Sequence, residues 1–455
     1  MASGTKSLHY ATDYQLDKID LITSLSGGKV NLIPFMVELN LFEDIYSSTI
    51  SGELVISDAL GLISNFRLNG TEFLEITLRK TSSDNYPIKK NYRLYKISNR
   101  STGESNAYEV YTINFCSEEF LLSEQYRISK SVKGKKISEI IKMILTSYIR
   151  VGITGTKTIN IDDSSGVYDF ILPNKKLFET INWLSTYALP ANKVGADMLF
   201  YENSDGYFFR SLQTMYNQKE YQTYKFDPKN IDIELNQQVT NALNFEVLDF
   251  FDTLGGIANG TFSNRLITLN PLTRTFKIDN DFNYAEYYNK SKKMNPGAVV
   301  NDYRNRHKKT IYDLPPNELE VGTLRMATEN TEMKKVSYIA QDPDSVANDI
   351  NIRKYMPNRV AQIALANYTR IKLTVAGDPS LLAGKTVVFN TYGFNGTENR
   401  EKDSFYSGKY LITAVRHIVK NNSYITVMEL AKESVSTSYS AYNASNLQKY
   451  VDGKS

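Results

Sequence analysis

The chain repeats itself, and that limits its fold more than any other feature. VELNLFEDIYSSTISGELVI (37–56) returns as EVLDFFDTLGGIANGTFSNRLI (246–267). Phe42 aligns with Phe251, Ile45 with Leu254, and Gly52 with Gly260 after one residue of slippage. Each copy has a strand pattern, a Phe-acidic pair, a turn of small residues, a Gly and a second strand. After a long gap the series resumes. FRLNGTEFLEI (66–76) resembles SLLAGKTVVFN (380–390), with Gly70 on Gly384. NYRLYKISNR then resembles KYLITAVRHI, and AYEVYTINF resembles SYITVMEL. Matches in the same order predict two similar units within one chain.

Local patterning makes those units β-structured. PFMVELNLF (34–42), TISGELVIS (49–57), TEFLEITLRK (71–80), NYRLYKISNR (91–100) and NAYEVYTINF (106–115) alternate or cluster β-branched and aromatic residues. Polar turns separate them. Five strands at this spacing predict a small antiparallel barrel or sandwich. The period then changes: Ile137, Ile140, Ile141, Ile144, Leu145 and Tyr148 form one helical stripe. A second helix is expected in PNKKLFETINWLSTYALP, with Asn174 as its N-cap, Leu177, Ile181, Leu184 and Ala188 on one face, and Pro190 at its end. A hairpin follows, ADMLFYE and YFFRSLQ around NSDG.

The expected fold is therefore mainly β with α+β inserts, two similar small antiparallel β-barrels per chain. The first barrel with an N-terminal arm spans 1–117, and an α+β insert spans 118–238. The second barrel is discontinuous, 239–280 and 369–435, around a mixed insert at 281–368. A Ser-, Asn- and Tyr-rich tail occupies 436–455. Gly52, Gly70, Gly260, Gly377, Asp378, Gly384 and Gly408 are the expected turn and repeat positions. The 32 Tyr against one Trp suit half-buried strands and protein contact surfaces.

The residues point to no catalytic, cofactor or metal site. Gly384-Lys385-Thr386 invites comparison with a phosphate-binding loop, but Pro379 stands where the first Gly of that motif belongs. The following VVFNTYGF is strand-like, whereas a phosphate loop opens a helix. Of three His, His9 is near the N-terminus, His307 is in the basic run RNRHKK (304–309), and His417 has no neighbouring carboxylate or Cys. The run 304–309 reads as a solvated loop, with an acidic partner or nucleic acid as the alternative. Glu118-Glu119 and Asp162-Asp163 read as polar surface, since nothing sets two carboxylates across a cleft. The one Cys, Cys116, is expected as a small buried residue and excludes a disulfide framework within the chain. A net charge of +3 is too balanced for a nucleic-acid footprint over the whole chain. No apolar run is long enough for a membrane span, and no signal-peptide core is present, so no membrane insertion is expected.

GDPSLLAGKTVVF (377–389), SGKYLITAVRHIV and SYITVMEL together resemble the closing barrel of baseplate central-hub proteins of contractile-tailed bacteriophages, to which the hub of type VI secretion spikes is related. MLFYENSDGYFFRSLQTM (198–215) resembles the family's middle hairpin, and FEDIYSSTISGELVISDALGL (42–62) its first barrel. The resemblance implies a non-enzymatic homotrimer whose six barrels form a ring between a sixfold tail tube and a threefold central spike. It further implies baseplate wedge proteins as partners, DNA passing through the bore during ejection, a place in the virion tail baseplate and assembly in the host cytoplasm. The competing readings are a wall-degrading tail enzyme and a glycan-binding tail adhesin. Neither needs a duplicated barrel. Interface positions are expected around the matched turns 43–52 and 252–260, and the tail from about 434 as a partner-bound arm.

Overall fold

The computed structural model describes residues 10–23, 27–80, 88–102, 107–151, 157–191, 195–227, 238–250, 252–261, 264–270, 274–279, 290–295, 323–328, 352–392, 402–403 and 405–435. His9, His307 with its basic run, Phe251, the tail from 436 and most of 281–368 lie outside them.

The chain is mainly β. Its first strands are β1 (Tyr14–Ile22), β2 (Lys29–Asn31), β3 (Met36–Asp44), β4 (Ser51–Asp58), β5 (Phe73–Lys80), β6 (Ile88–Thr102) and β7 (Glu109–Ser117), with a short helix α1 (Leu62–Asn65) between β4 and β5. They pair antiparallel in the order β3-β4-β7-β6-β5-β1-β2. The core behind them is aliphatic and aromatic, with Leu39, Leu41, Leu54, Ile76, Tyr92, Ile113 and Phe115 buried. β1 lies in the segment expected to be an arm. Its Asp17, Lys18 and Asp20 interrupt the apolar pattern, yet the strand pairs along β5, with one bulge between Leu16 and Lys18.

An α+β region follows. It contains α2 (Glu118–Gln125), β8 (Arg127–Lys135), α3 (Ile137–Met143) continued by a wider π-type turn (Ile144–Tyr148), β9 (Thr158–Ile161), β10 (Ser164–Ser165), β11 (Tyr168–Lys176), α4 (Leu177–Tyr187), β12 (Leu189–Pro190), β13 (Met198–Asn203), β14 (Gly206–Ser211) and α5 (Leu212–Tyr216). The expected stripe holds except at its end: Ile137, Ile140, Ile141, Ile144 and Leu145 are buried with Leu177, Ile181, Leu184 and Ala188, whereas Tyr148, at the end of the π-type turn, is 38% exposed. Asn174 is not the N-cap of α4. It has φ +51° inside β11, where the register with β8 shifts, and the strand runs on to Lys176.

The third group is β15 (Thr223–Phe226), β16 (Asn244–Phe250), α6 (Thr253–Ala258), β17 (Asn264–Asn270), β18 (Thr275–Asp279), β19 (Thr323–Thr328), α7 (Ile352–Ala366), β20 (Thr369–Ala376), β21 (Thr386–Thr391), β22 (Gly408–Lys420) and β23 (Ser423–Lys432). The order β16-β20-β23-β22-β21 repeats β3-β4-β7-β6-β5 strand for strand. β3 thus corresponds to β16, β5 to β21, β6 to β22 and β7 to β23, as the sequence matches predict. The second strand does not. β4 corresponds to β20, whereas the aligned segment 264–267 belongs to β17, in a separate sheet with β18 and β19. Any half-buried strand after a turn satisfies that alignment, so pattern alone could not choose. β15, inside the segment 118–238, pairs with β21. It also exchanges backbone bonds with Thr240 and Ala242 just before β16 (3.0 and 2.7 Å), so the hydrogen-bonded path round this unit returns on itself.

Candidate functional site

The two units share a seam. The first half of β22 pairs with β21, and its second half, Ala414 to Lys420, pairs with β3 from Asp44 to Glu38. One 13-stranded sheet results, serving two separate cores. The seam is tight because the far end of the β22–β23 hairpin enters the first core, where Val419 and Tyr424 are buried. His417 is buried there too, its Nδ1 at 2.7 Å from the Tyr424 hydroxyl. Burial pushes its pKa down from 6.5 to about 4, so the imidazole is neutral. Salt bridges cross the outer face: Lys420 to Glu38 at 2.8 Å, Arg416 to Glu38 at 3.5 Å, and Lys372 to Glu246 at 3.1 Å. Exposed pairs of this kind fix register more than they stabilise.

A second element locks the seam from inside. The β13–β14 hairpin has a two-residue tip, Ser204-Asp205, that lies between the two units. Glu43 of β3 is fully buried and accepts from the Ser204 N–H (2.8 Å), the Ser204 hydroxyl (2.5 Å) and the Ala383 N–H (3.1 Å). Burial, helped by the nearby Asp205 charge, pushes its pKa up to about 7 against those hydrogen bonds. Glu202 on the same hairpin accepts from the Ile50 N–H (2.9 Å), the Ser117 hydroxyl (2.8 Å) and the Lys157 ammonium (2.7 Å). Burial opposes the Lys157 charge, but Glu202 and Glu119 outweigh it and raise its pKa. Asn203 completes the lock with a 2.9 Å bond to the Ala383 carbonyl. One hairpin therefore holds β3, the turn before β4, the end of β7 and the loop before β21.

The expected turn positions divide into three kinds. Gly70 and Gly384 precede matched strands with φ +89° and +86°, which only Gly adopts readily. A Cβ on Gly70 meets nothing, whereas one on Gly384 lies 2.3 Å from the Tyr201 hydroxyl of the locking hairpin. Gly52 and Gly377 sit under aromatic rings, Phe115 and Tyr424, each within 2.3 Å of where a Cβ stands. Gly260 (φ +72°) closes the segment after α6, so it is not the structural counterpart of Gly52. Gly408 opens β22 at φ +136°. Asp378 caps its own turn, accepting from the Ser380 N–H at 2.9 Å and from the Tyr221 hydroxyl. Lys385 donates to the Ser380 carbonyl at 2.9 Å, and Thr386 opens a strand, so no phosphate cradle forms.

The turn at 43–52 is tied in part to the chain's own residues. Glu202 N–H donates to the Ser47 carbonyl and Asn182 to the Ser48 hydroxyl, while Tyr46 of the same turn is 44% exposed. Around 252–260, Leu254 is 82% exposed. Cys116 is buried as expected, its thiol pushed up to about 12 by that burial. Among the described residues no group of His, Cys, Asp or Glu is arranged to hold a metal, and no helix is long and apolar enough to cross a membrane.

Among the described residues, two strand edges have no further strand partner. β5 covers β6 from Ile88 to Arg93, and from Leu94 to Thr102 β6 pairs with β7 as its one described strand partner. β16 pairs with β20 on one side, and no described strand pairs with its other side. These are the counterparts of the β22 half and the β3 edge that meet at the seam. The sequence contains no local signal for them, because an open edge is defined by a missing neighbour.

No protein-family model matches the chain. The chain is 20% identical over 415 residues to the probable baseplate hub protein gp334 of Vibrio phage KVP40, covering 88% of this chain and 90% of that protein. Its fold is similar to the tail protein from Neisseria meningitidis MC58, with TM-score 0.51, 9% identity, and 92% and 97% of the two chains covered. A 43 kDa tail protein of prophage MuSo2 from Shewanella oneidensis aligns at TM-score 0.48 and 7% identity, covering 92% and 98%. The chain is mainly β with antiparallel sheets, and its fold is similar to that of the Neisseria tail protein. In sequence it resembles the probable baseplate hub protein of the Vibrio phage, as the sequence reading expects.

Proposed function

We propose that the chain is the non-enzymatic structural hub of a phage tail baseplate, a homotrimeric ring that adapts a sixfold tail tube to a threefold central spike. The observation that carries this is the strand order found twice, with the units already joined edge to edge inside one chain. A surface that pairs once within the chain is self-complementary between copies when the units are alike. The second half of β6 in one copy then meets β16 of the next, as β22 meets β3. Three chains close six such seams into a ring, and open edges are satisfied as they form. In this reading each unit acts as one barrel of the ring. The tail-tube, spike and wedge proteins are its partners, its place is the virion baseplate after assembly in the host cytoplasm, and DNA crosses the bore. The hub relative supports this reading.

Analytical ultracentrifugation of the full chain, alone and with a candidate spike protein, tests the proposal. A trimer is expected. A monomer that stays monomeric with the spike, or a dimer, sinks it.

A further inference from the structure

The strand β8 and its surroundings carry a charge that the hub role does not use. RISKSVKGKK (127–136) has five basic residues and no acidic one, and 126–157 has eight basic residues against Glu139, in a chain of net +3. Ile128 and Val132 point into the core, while Arg127, Lys130, Lys133 and Lys135 are exposed. Lys142 and Arg150 are exposed on and after the helix packed beside this strand. Three nearby carboxylates are paired with other lysines, Asp163 with Lys136 (2.7 Å), Glu179 with Lys175 (2.6 Å) and Glu124 with Lys176, while Asp169 accepts from the Gly134 N–H (2.8 Å) and is the one carboxylate on the ribbon itself among the described residues. Lys133, Lys135, Lys142 and Arg150 are paired with no carboxylate among the described residues. Beside the charges stand exposed rings: Tyr126 at 57% and Tyr148 at 38%, the latter beneath the Lys130 ammonium at 5.9 Å.

We propose that the β8–β11 ribbon with the end of α3 is a binding surface for the phosphodiester backbone of a nucleic acid. Three features favour that partner. The charge is mostly Lys, which dry protein interfaces exclude from their cores and which solvated phosphate contacts accept. Lys133 and Lys135 flank Gly134 (φ +61°) at a bulge in the β8–β11 pairing, which gathers two exposed ammonium groups on one short stretch of the ribbon. The exposed Tyr faces can stack bases, which a lipid headgroup or an acidic protein face does not offer. The apolar side of α3 is buried in the domain core, so no amphipathic face is left to enter a membrane.

The test is fluorescence anisotropy of labelled single-stranded and hairpin duplex DNA with the full chain across a salt series. Vesicles of phosphatidylglycerol serve as the competing anionic surface. The compared variants are K133E/K135E/K142E and, as control, K219E/K225E, whose lysines are exposed on another face. Circular dichroism melts verify that both stay folded. Expected are saltable DNA binding by the wild type, at least a tenfold loss in the triple variant, and a salt slope shallower by about two for single strands. The control should bind like the wild type. DNA binding unchanged in the triple variant overturns the proposal, as does a wild type that binds vesicles but neither DNA.

Discussion

β3 and β16 hold the same place in the two units, yet their surroundings differ. β3 has β22 on one side and β4 on the other, and Leu39, Asn40, Leu41 and Glu43 are buried. Among the described strands β16 has β20 as its one full partner, and most of its residues are exposed, Val247 and Leu248 among them. The same strand position is a core element once and an edge of the described sheet the other time. The difference lies in the neighbour and not in the strand, and in the proposed ring that neighbour is another copy.

The largest effect should come from attacking the two strands in the same way. Leu39→Asp buries an uncompensated charge and should cost about 4 kcal/mol or more, leaving little folded protein. V247D/L248D should leave the melting temperature of the monomer nearly unchanged while abolishing the trimer. Thermal melts and sedimentation of both variants separate the two effects; a trimeric V247D/L248D protein would remove β16 from the interface.

The paired glycines come next. Gly70→Ala should cost about 1–2 kcal/mol, since only the left-handed backbone penalises it. Gly384→Ala adds the overlap with Tyr201 and should cost about 3 kcal/mol or more in urea unfolding. Equal losses at both positions would mean that the hairpin does not press on the second unit.

The pH dependence sharpens the picture of the seam. Glu43 has a folded value of about 7 against an ordinary 4.5, so the folded protein keeps a proton that the unfolded chain releases. Its contribution therefore lowers stability as pH rises from about 4.5 to about 7, by about 3 kcal/mol in total. His417 has the opposite sign. Its folded value of about 4 lies below 6.5, so stability falls as pH drops from 6.5 towards 4. The two slopes oppose one another between about pH 4.5 and 6.5. Glu43→Gln should remove the slope that opposes His417, so stability falls more steeply from pH 6.5 to 5 than in the unaltered protein. Urea titrations at pH 5, 6.5 and 8 read this directly.

The smallest effect is expected at the outer face. Lys372→Met breaks an exposed pair with Glu246 and should shift stability by about 0.5 kcal/mol or less.

Much of this was legible from residues alone. The repeat, four of its five strand equivalences, the helical stripes and the absence of a phosphate loop follow from local periodicity and turn chemistry. What was not legible is of another kind. β1 was hidden because Asp17, Lys18 and Asp20 dilute its apolar pattern, although Asp20 is matched by Lys29 at 2.8 Å. Glu43 looks like a solvated strand residue until the Ser204 tip is brought to it from 161 positions away. The β22–β3 seam likewise joins residues 376 apart, as Arg416 and Asn40 show, and no short window of sequence contains it.

The position of β22 and β23 at the end of the described chain bears on how the molecule is made. Val419 and Tyr424 complete a core whose other members lie between residues 19 and 115. On a ribosome, the N-terminal half therefore emerges long before its last core side chains exist. A chain that stops before Val419 lacks part of its first core as well as its second, so early termination weakens both units at once.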